Sequence, residues 1–166
     1  MNIVLLEPEI PQNTGNIGRT CIAAGASLHL IRPLGFFTDE RSVKRAGLDY
    51  WRDLEVCCYD SFTHFCREHP DARLYLATTK ARMLYTEPRY YPGDFFMLGK
   101  ESAGIPEEIL LAHRDNCVRI PMAEGSRSLN LACAAAILLY EALRQNAFEN
   151  LRLRGELHTR SWNERV

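Results

Sequence analysis

Apolar residues fall along the chain in short dense runs separated by segments of helical or mixed polarity. Asn2 to Glu7 is a compact apolar run, as in a strand buried on both faces. Asn13 is placed to cap a helix running to about Ala24, and Gly25 is placed to end it. Ser27 to Arg32 reads as the next strand, closed by Pro33, and Asp39 can cap a short helix ending near Gly47. Leu54 to Tyr59 reads as a strand, Ser61 to Glu68 as a helix stopped before Pro70, and Arg73 to Thr78 as a strand. After a loop rich in Pro and Tyr, Asp94 to Leu98 is another strand, and Pro106 opens a helix through His113, as proline in a first helical turn does. Cys117 to Pro121 is the last strand and about Leu129 to Asn146 the last helix.

Repeated strand–helix units of this length predict an α/β fold: a mostly parallel sheet with helices on both faces. One domain over 1–150 accounts for the pattern, and 151–166 reads as a polar, Arg-rich C-terminal tail. The last helix is apolar on all sides, with Ala132, Ala134, Ala135 and Ala136, so it must be covered on more than one side, by a deeper core or by a partner subunit.

A chain of 166 residues can bury a real core without staples. The N-terminus lacks the basic segment of a signal peptide, and the longest apolar run, Leu131 to Tyr140, falls short of the ~20 residues of a membrane span. A soluble, cytoplasmic protein with no membrane association is expected. The six cysteines show no CxxC pair and no zinc-ligand spacing, which predicts small buried hydrophobes rather than disulfides or a metal site. A net charge of -1 gives no overall attraction to nucleic acid, so an RNA partner would need a local basic patch. Two runs qualify: Arg32, Arg41, Lys44, Arg45 and Arg52, and the tail residues Arg152, Arg154, Arg160 and Arg165. Such runs are also what an ordinary solvated surface looks like.

Ligands of open α/β sheets bind beyond the carboxyl ends of the strands, and three strand ends here carry unusual loops. The first, Glu7 to Arg19, holds two prolines and Asn13-Thr-Gly15-Asn16-Ile-Gly18-Arg19; its glycine spacing is not that of a dinucleotide fingerprint. Arg19 lies in the early turns of a helix, against the helix dipole, at a mild cost. The second, Phe96 to Pro106, brackets Glu101 between Gly99 and Gly104, which permits close approach of backbone to a flat ligand. The third, Arg119 to Asn130, sets Ser126, Arg127, Ser128 and Asn130 before the apolar helix, more polar groups than one cap requires. Each loop has a plain structural explanation as well: a capped helix, a tight connection, a helix entry.

Together and in this order, the three loops resemble the three motifs of the SPOUT RNA methyltransferases, most closely the small TrmH-like branch that methylates the wobble ribose of tRNA. The first motif is matched by Asn13 to Arg19, the second by Leu98-Gly99-Lys100-Glu101 through Gly104-Ile105-Pro106, and the third by Arg119-Ile120-Pro121-Met122 with Ser126-Arg127-Ser128-Leu129-Asn130-Leu131. Arg45-Ala-Gly-Leu-Asp-Tyr50 and Ala77-Thr78-Thr79-Lys80 also look typical of the wobble-specific branch, so the resemblance spans nearly the whole chain.

The resemblance implies a C-terminal trefoil knot, which the general rarity of knots would not suggest. It implies S-adenosylmethionine as methyl donor, with S-adenosylhomocysteine as product and no metal. Carried over by position, Ala77, Thr78, Gly99, Ile120, Met122, Ser128 and Leu129 would line the cofactor. Asn13, Arg19, Glu101, Ser128 and Asn130 would serve the reaction, and Arg19, Arg41, Lys44, Arg45 and Arg127 would meet RNA. The implied assembly is a homodimer with Tyr140 and the last helix at its interface. The implied substrate is cytidine or uridine at position 34 of tRNA; the alternatives are 2'-O-methylation of ribosomal RNA and a non-catalytic knotted RNA-binding protein.

Overall fold

A computed structural model describes residues 1–36 and 54–164. The expected helix after Asp39 and the basic residues Arg41, Lys44, Arg45, Arg52 and Arg165 lie outside the described residues. The strands are β1 (Asn2–Leu6), β2 (Ser27–Ile31), β3 (Val56–Tyr59), β4 (Leu74–Ala77), β5 (Met83–Leu84), β6 (Phe95–Leu98) and β7 (Cys117–Arg119). The α-helices are α1 (Pro11–Ala24), α2 (Phe62–Glu68), α3 (Glu107–Ala112) and α4 (Leu131–Gln145).

Among the described residues the strands form one seven-stranded sheet in the order β3-β2-β1-β6-β4-β7-β5, and every pairing in it is parallel. Side chains alternate along a strand, so each strand feeds two cores. Ile3, Leu5, Leu28, Leu30, Phe96 and Leu98 face a core closed by Ile17 and Cys21 of α1 and by Leu138, Leu139 and Ala142 of α4. Val4, Leu6, Ile31, Leu76 and Met97 face the other, closed by Phe65 of α2 and Leu110 of α3. The continuous apolar runs of the strands follow from this burial on both faces.

Several local expectations shift. Asn13 does not cap α1. Pro11 starts the helix, Ile10 stands at the cap with no side-chain bond, and Asn13 is buried in the first turn. Gly25 does end α1, at φ 61, a left-handed conformation that costs glycine little. Pro106 caps α3 rather than opening it. The Pro/Tyr loop hides β5, whose Met83 and Leu84 pair with Val118 and Arg119. Of the cysteines only Cys21 and Cys117 are buried, while Cys58 and Cys133 are exposed; all six are free thiols. On α4, Cys133 and Tyr140 are exposed although the helix is apolar all round. Residues 151–164 carry no helix or strand.

One polar group stands in the second core. His29 is 4% exposed, and its ring bonds the Tyr59 hydroxyl at 2.8 Å, which in turn bonds His69 Nε2 at 2.8 Å. Burial first, and then the neighbouring His69, push the His29 imidazole down from 6.5 to about 4, with Glu55 opposing. Between those two values the unfolded chain binds a proton that the folded chain excludes, so stability falls as the pH falls through that window. The urea midpoint is expected to drop between pH 7 and pH 4.5, and the drop should be smaller in His29→Gln. An equal drop in both proteins would show that other groups set the acid limit.

Candidate active site

Strand register brings three chain segments level at one end of the sheet. Ala77 pairs with Leu98 and with Val118, so Thr78, Gly99 and Arg119-Ile120 leave the sheet side by side. Their loops, with the start of α1 and the entry to α4, enclose a cavity of about 540 Å³. That volume is within the roughly 300–1,000 Å³ of small-molecule sites. Leu98, Val118, Ile120, Leu129 and Ala134 supply apolar wall, and Thr78, Glu101, Arg127, Ser128 and Asn130 supply polar groups.

A chain of directed hydrogen bonds ties the loops together. At one end Asn130 Oδ1 accepts from the backbone N–H groups of Ala132 (2.9 Å) and Cys133 (3.4 Å), capping α4. This turns Asn130 Nδ2 outward, where it donates to Asn13 Oδ1 at 2.9 Å. Asn13 Nδ2 then donates to Glu101 Oε1, also at 2.9 Å. At the other end Glu101 accepts from the backbone amides of Glu9 (2.8 Å) and Ile10 (3.3 Å). Both ends fix the direction, since a carboxylate only accepts and backbone N–H groups only donate; neither amide can be flipped without setting donor against donor.

The first and second loops also clasp each other in the reverse sense. The Glu9 carboxylate accepts from the Ser102 hydroxyl and amide, both at 2.8 Å, and these bonds hold it below the usual carboxylate range. Lys100 pairs with Glu7 at 2.9 Å, and that bond raises the Lys100 ammonium. Glu101 thereby does for α1 what a capping side chain would do: it satisfies backbone donors at the helix start and sets negative charge at the positive end of the dipole.

Every predicted cofactor-lining residue, Ala77, Thr78, Gly99, Ile120, Met122, Ser128 and Leu129, borders this cavity, as do Asn13, Glu101, Asn130 and Arg127. Arg19 does not. It is exposed on α1, six residues beyond Asn13 and so about 9 Å further along the helix axis, away from the cavity. Sequence reasoning assigned no role to Glu9, Ser102, Lys80 or Arg119. Lys80 lines the cavity and pairs with Glu107 at 2.7 Å, which lowers the Glu107 carboxyl. Arg119 Nη1 donates to the Thr79 carbonyl at 2.9 Å, bridging the β4 and β7 loops. Their acceptors lie tens of residues away in the chain, so no local pattern marks them. Among the described residues no group of three His, Cys, Asp or Glu side chains is placed to hold a metal ion.

Two substitutions probe this construction. A methyl group at Gly99 would overlap the backbone of Gly104 and Ile105, so Gly99→Ala should force the second loop open. Glu101→Gln should cost about 1–3 kcal/mol of stability, because its amide would meet donors on at least one side. Thermal unfolding checks both. Wild-type stability in Glu101→Gln would mean that the carboxylate does not organise the loops.

Comparison with known proteins places this geometry in a family. The model of the SpoU rRNA methylase family matches residues 1–140. A protein of Geobacillus stearothermophilus is 47% identical over 154 residues, covering 91% of this chain and 98% of that protein. The tRNA (cytidine(34)-2'-O)-methyltransferase of Saccharophagus degradans is 45% identical over 148 residues, covering 89% and 96%. Among solved structures, one described as giving structural insights into the 2-OH methylation of C/U34 on tRNA superposes with a TM-score of 0.82 at 44% identity, covering 89% of this chain and 97% of that one. The methyltransferase AviRb of Streptomyces viridochromogenes, in complex with AdoMet, superposes at 0.74 with 26% identity, covering 92% and 59%. With its family model matched over most of its length and its three loops joined around one cavity, this chain belongs to the SpoU rRNA methylase family.

Proposed function

We propose that this protein transfers a methyl group from S-adenosylmethionine to the 2'-oxygen of cytidine or uridine at position 34 of tRNA. The observation that carries the reading is the bonded line Asn130–Asn13–Glu101, which joins the three loops resembling the family motifs at the mouth of one cavity. The name of the Saccharophagus relative and the subject of the C/U34 structure support the substrate. Ribosomal RNA methylation is the second reading, favoured by the description of the family model and by the likeness to a Sinorhizobium meliloti rRNA methyltransferase at 29% identity.

The cavity fits the cofactor chemically. Leu98, Val118, Ile120 and Leu129 offer apolar surface to a flat base, and the close approach of Gly99 to Gly104 leaves backbone edges, rather than side chains, along one wall. Ala77, Thr78, Gly99, Ile120, Met122, Ser128 and Leu129 would hold it. The sulfonium, when bound, supplies an activated methyl group and a good leaving group. The protein's part is to hold the 2'-oxygen in line and to accommodate its proton.

Arg19 is the residue assigned to the 2'-hydroxyl. A guanidinium with a pKa above ~12 makes a poor base, so its role is to stabilise developing negative charge on oxygen while a neighbouring phosphate shares the proton. Its place on α1, off the cavity of its own chain, supports action across a homodimer. The exposed Cys133 and Tyr140 on α4, which shares a core with α1, support an interface on that side of the sheet. The trefoil knot belongs to the same proposal; β6 inserted between β1 and β4, and β4 held between β6 and β7, support it. A cytoplasmic location follows from a tRNA substrate.

Methyl transfer from labelled S-adenosylmethionine to tRNA, followed by mapping of the modified nucleotide, tests the reading. Arg19→Ala should lower kcat about 100-fold or more with cofactor affinity unchanged. Mixing it with a cavity-blocked Ile120→Trp protein should restore roughly a quarter of wild-type activity, the share expected from random pairing of a twofold dimer. No restoration would rule out action between subunits. Label in ribosomal RNA alone would favour the second reading, and absence of cofactor binding would end the methyltransferase proposal. Binding of tRNA should weaken steeply between about 50 and 200 mM salt, whereas cofactor binding should not.

A further inference from the structure

The arginines of the described residues divide by whether a carboxylate answers them. Arg32, Arg67, Arg73, Arg114, Arg144 and Arg160 each stand within 4.0 Å of an Asp or Glu oxygen. Leaving Arg19 aside, the remaining six have no carboxylate partner, and they fall into two groups of three. Arg127 borders the cavity, Arg119 bonds the carbonyl of the cavity-lining Thr79, and Arg82 lies in the turn between β4 and β5. Arg89 lies at the opposite end of the sheet, bonded to the end of α4, and Arg152 and Arg154 follow α4 in the chain, with Arg152 Nε donating to the Arg154 carbonyl at 2.9 Å.

The second group is built on a fixed support. The exposed Tyr91 ring has the Arg73 guanidinium at 4.6 Å and that of Arg89 at 5.8 Å. Arg73 is held by the Tyr75 hydroxyl at 2.7 Å, by the Arg89 carbonyl at 3.0 Å and by Asp94 at 3.5 Å. Asp94 is 3% exposed and is occupied by Arg73 and by the Tyr91 amide at 2.8 Å, so it does not neutralise Arg89. Arg89 itself spends one nitrogen on the Gln145 carbonyl at 2.8 Å, at the end of α4. A guanidinium stacked on a ring keeps its edge N–H groups for an acceptor.

The tail leaves from the same place. Asn146 bonds the Tyr90 carbonyl at 3.2 Å, and Leu151 seats against the first core, so Arg152 follows directly from an anchored residue. From there residues 152–157 run without a bend or turn, and Arg152 and Arg154 alternate with Leu151 and Leu153. In an extended chain these sets point to opposite sides.

We propose that Arg89, Arg152 and Arg154 form a second phosphate-binding surface for the substrate RNA, which takes the stem leading to the methylated loop. The inference rests on the RNA reading above. Strands of four to five residues separate the two arginine groups by about 15–20 Å. A small anion cannot touch both ends of the sheet. A nucleic acid can, because its phosphates recur along the whole backbone and suit the planar fork of arginine.

The test is tRNA binding by the full-length protein and by Arg89→Gln/Arg152→Gln/Arg154→Gln across a salt series, with cofactor binding by calorimetry and steady-state methylation alongside. The triple variant should bind tRNA about tenfold or more weakly, and its salt slope should fall by about two to three, near 0.9 per phosphate lost. Cofactor affinity and kcat should stay at wild-type values while KM for tRNA rises, and Arg89→Lys should keep most of the affinity. An unchanged salt slope and KM would overturn the proposal. So would an unchanged slope together with altered sedimentation, which would assign the surface to contacts between copies. Because binding is read without turnover, a protein that binds tRNA through these arginines but methylates nothing would sink the proposed reaction and leave this surface standing.

Discussion

The Glu101 carboxylate joins the loops of three chain segments that the sheet brings side by side. It accepts two backbone amides and one side-chain amide from a segment about ninety residues earlier, and through Asn13 it reaches the cap of α4. The bonds to the carboxylate are charge-assisted and worth about 1.5–3 kcal/mol net each, the amide–amide link about 1 kcal/mol. Their combined effect is larger in consequence than in energy, since the direction of every donor is set at both ends. The cavity wall inherits that order, because Asn13, Glu101 and Asn130 all line it. The parallel register beneath makes the arrangement possible: with Ala77 level with Leu98 and Val118, the loops emerge within reach of one another before any side chain acts.

The strands and their two-sided burial were legible because a run such as Ile3-Val-Leu-Leu6 has no polar face to offer water. The helix ends were legible where a single residue decides them, as at Gly25 and at Ser61, whose hydroxyl accepts from the His64 amide at 3.1 Å. What escaped was non-local. Asn13 looked like a cap because capping logic considers only the next few residues, whereas the partner that relieves the α1 start is Glu101. The two-residue strand β5 has too few positions to show a period; its existence depends on an open edge of β7. The cavity-lining set was reached through resemblance of ordered motifs, not through spacing, and Glu9 and Ser102 were missed because their clasp spans 93 residues.

Arg19 marks the boundary of what one chain explains. A residue in the first motif is expected beside the residues of the other two, yet a helix that starts at the cavity and runs antiparallel to its strand carries later positions away from the site. Asn13, in the first turn, stays; Arg19, about 9 Å on, does not. The proposed action of Arg19 across a homodimer, with a loop from one subunit and a helix from the other, fits this geometry. The same proposal would cover Cys133 and Tyr140, which face outward on the apolar helix α4.

Charge follows the same division between what is committed and what is left available. Near the cavity the lysines are paired, Lys80 with Glu107 and Lys100 with Glu7, and so act as ties between loops. The arginines at its rim are not paired with carboxylates, and Arg119 is held in place through a neutral carbonyl instead. A guanidinium anchored on a carbonyl keeps its full charge, whereas one anchored on a carboxylate loses most of its field. Holding arginine by neutral acceptors is therefore how a protein with a net charge of -1 can present localised positive charge to a polyanion, and both unpaired groups in this fold use it, Arg119 through Thr79 and Arg89 through Gln145.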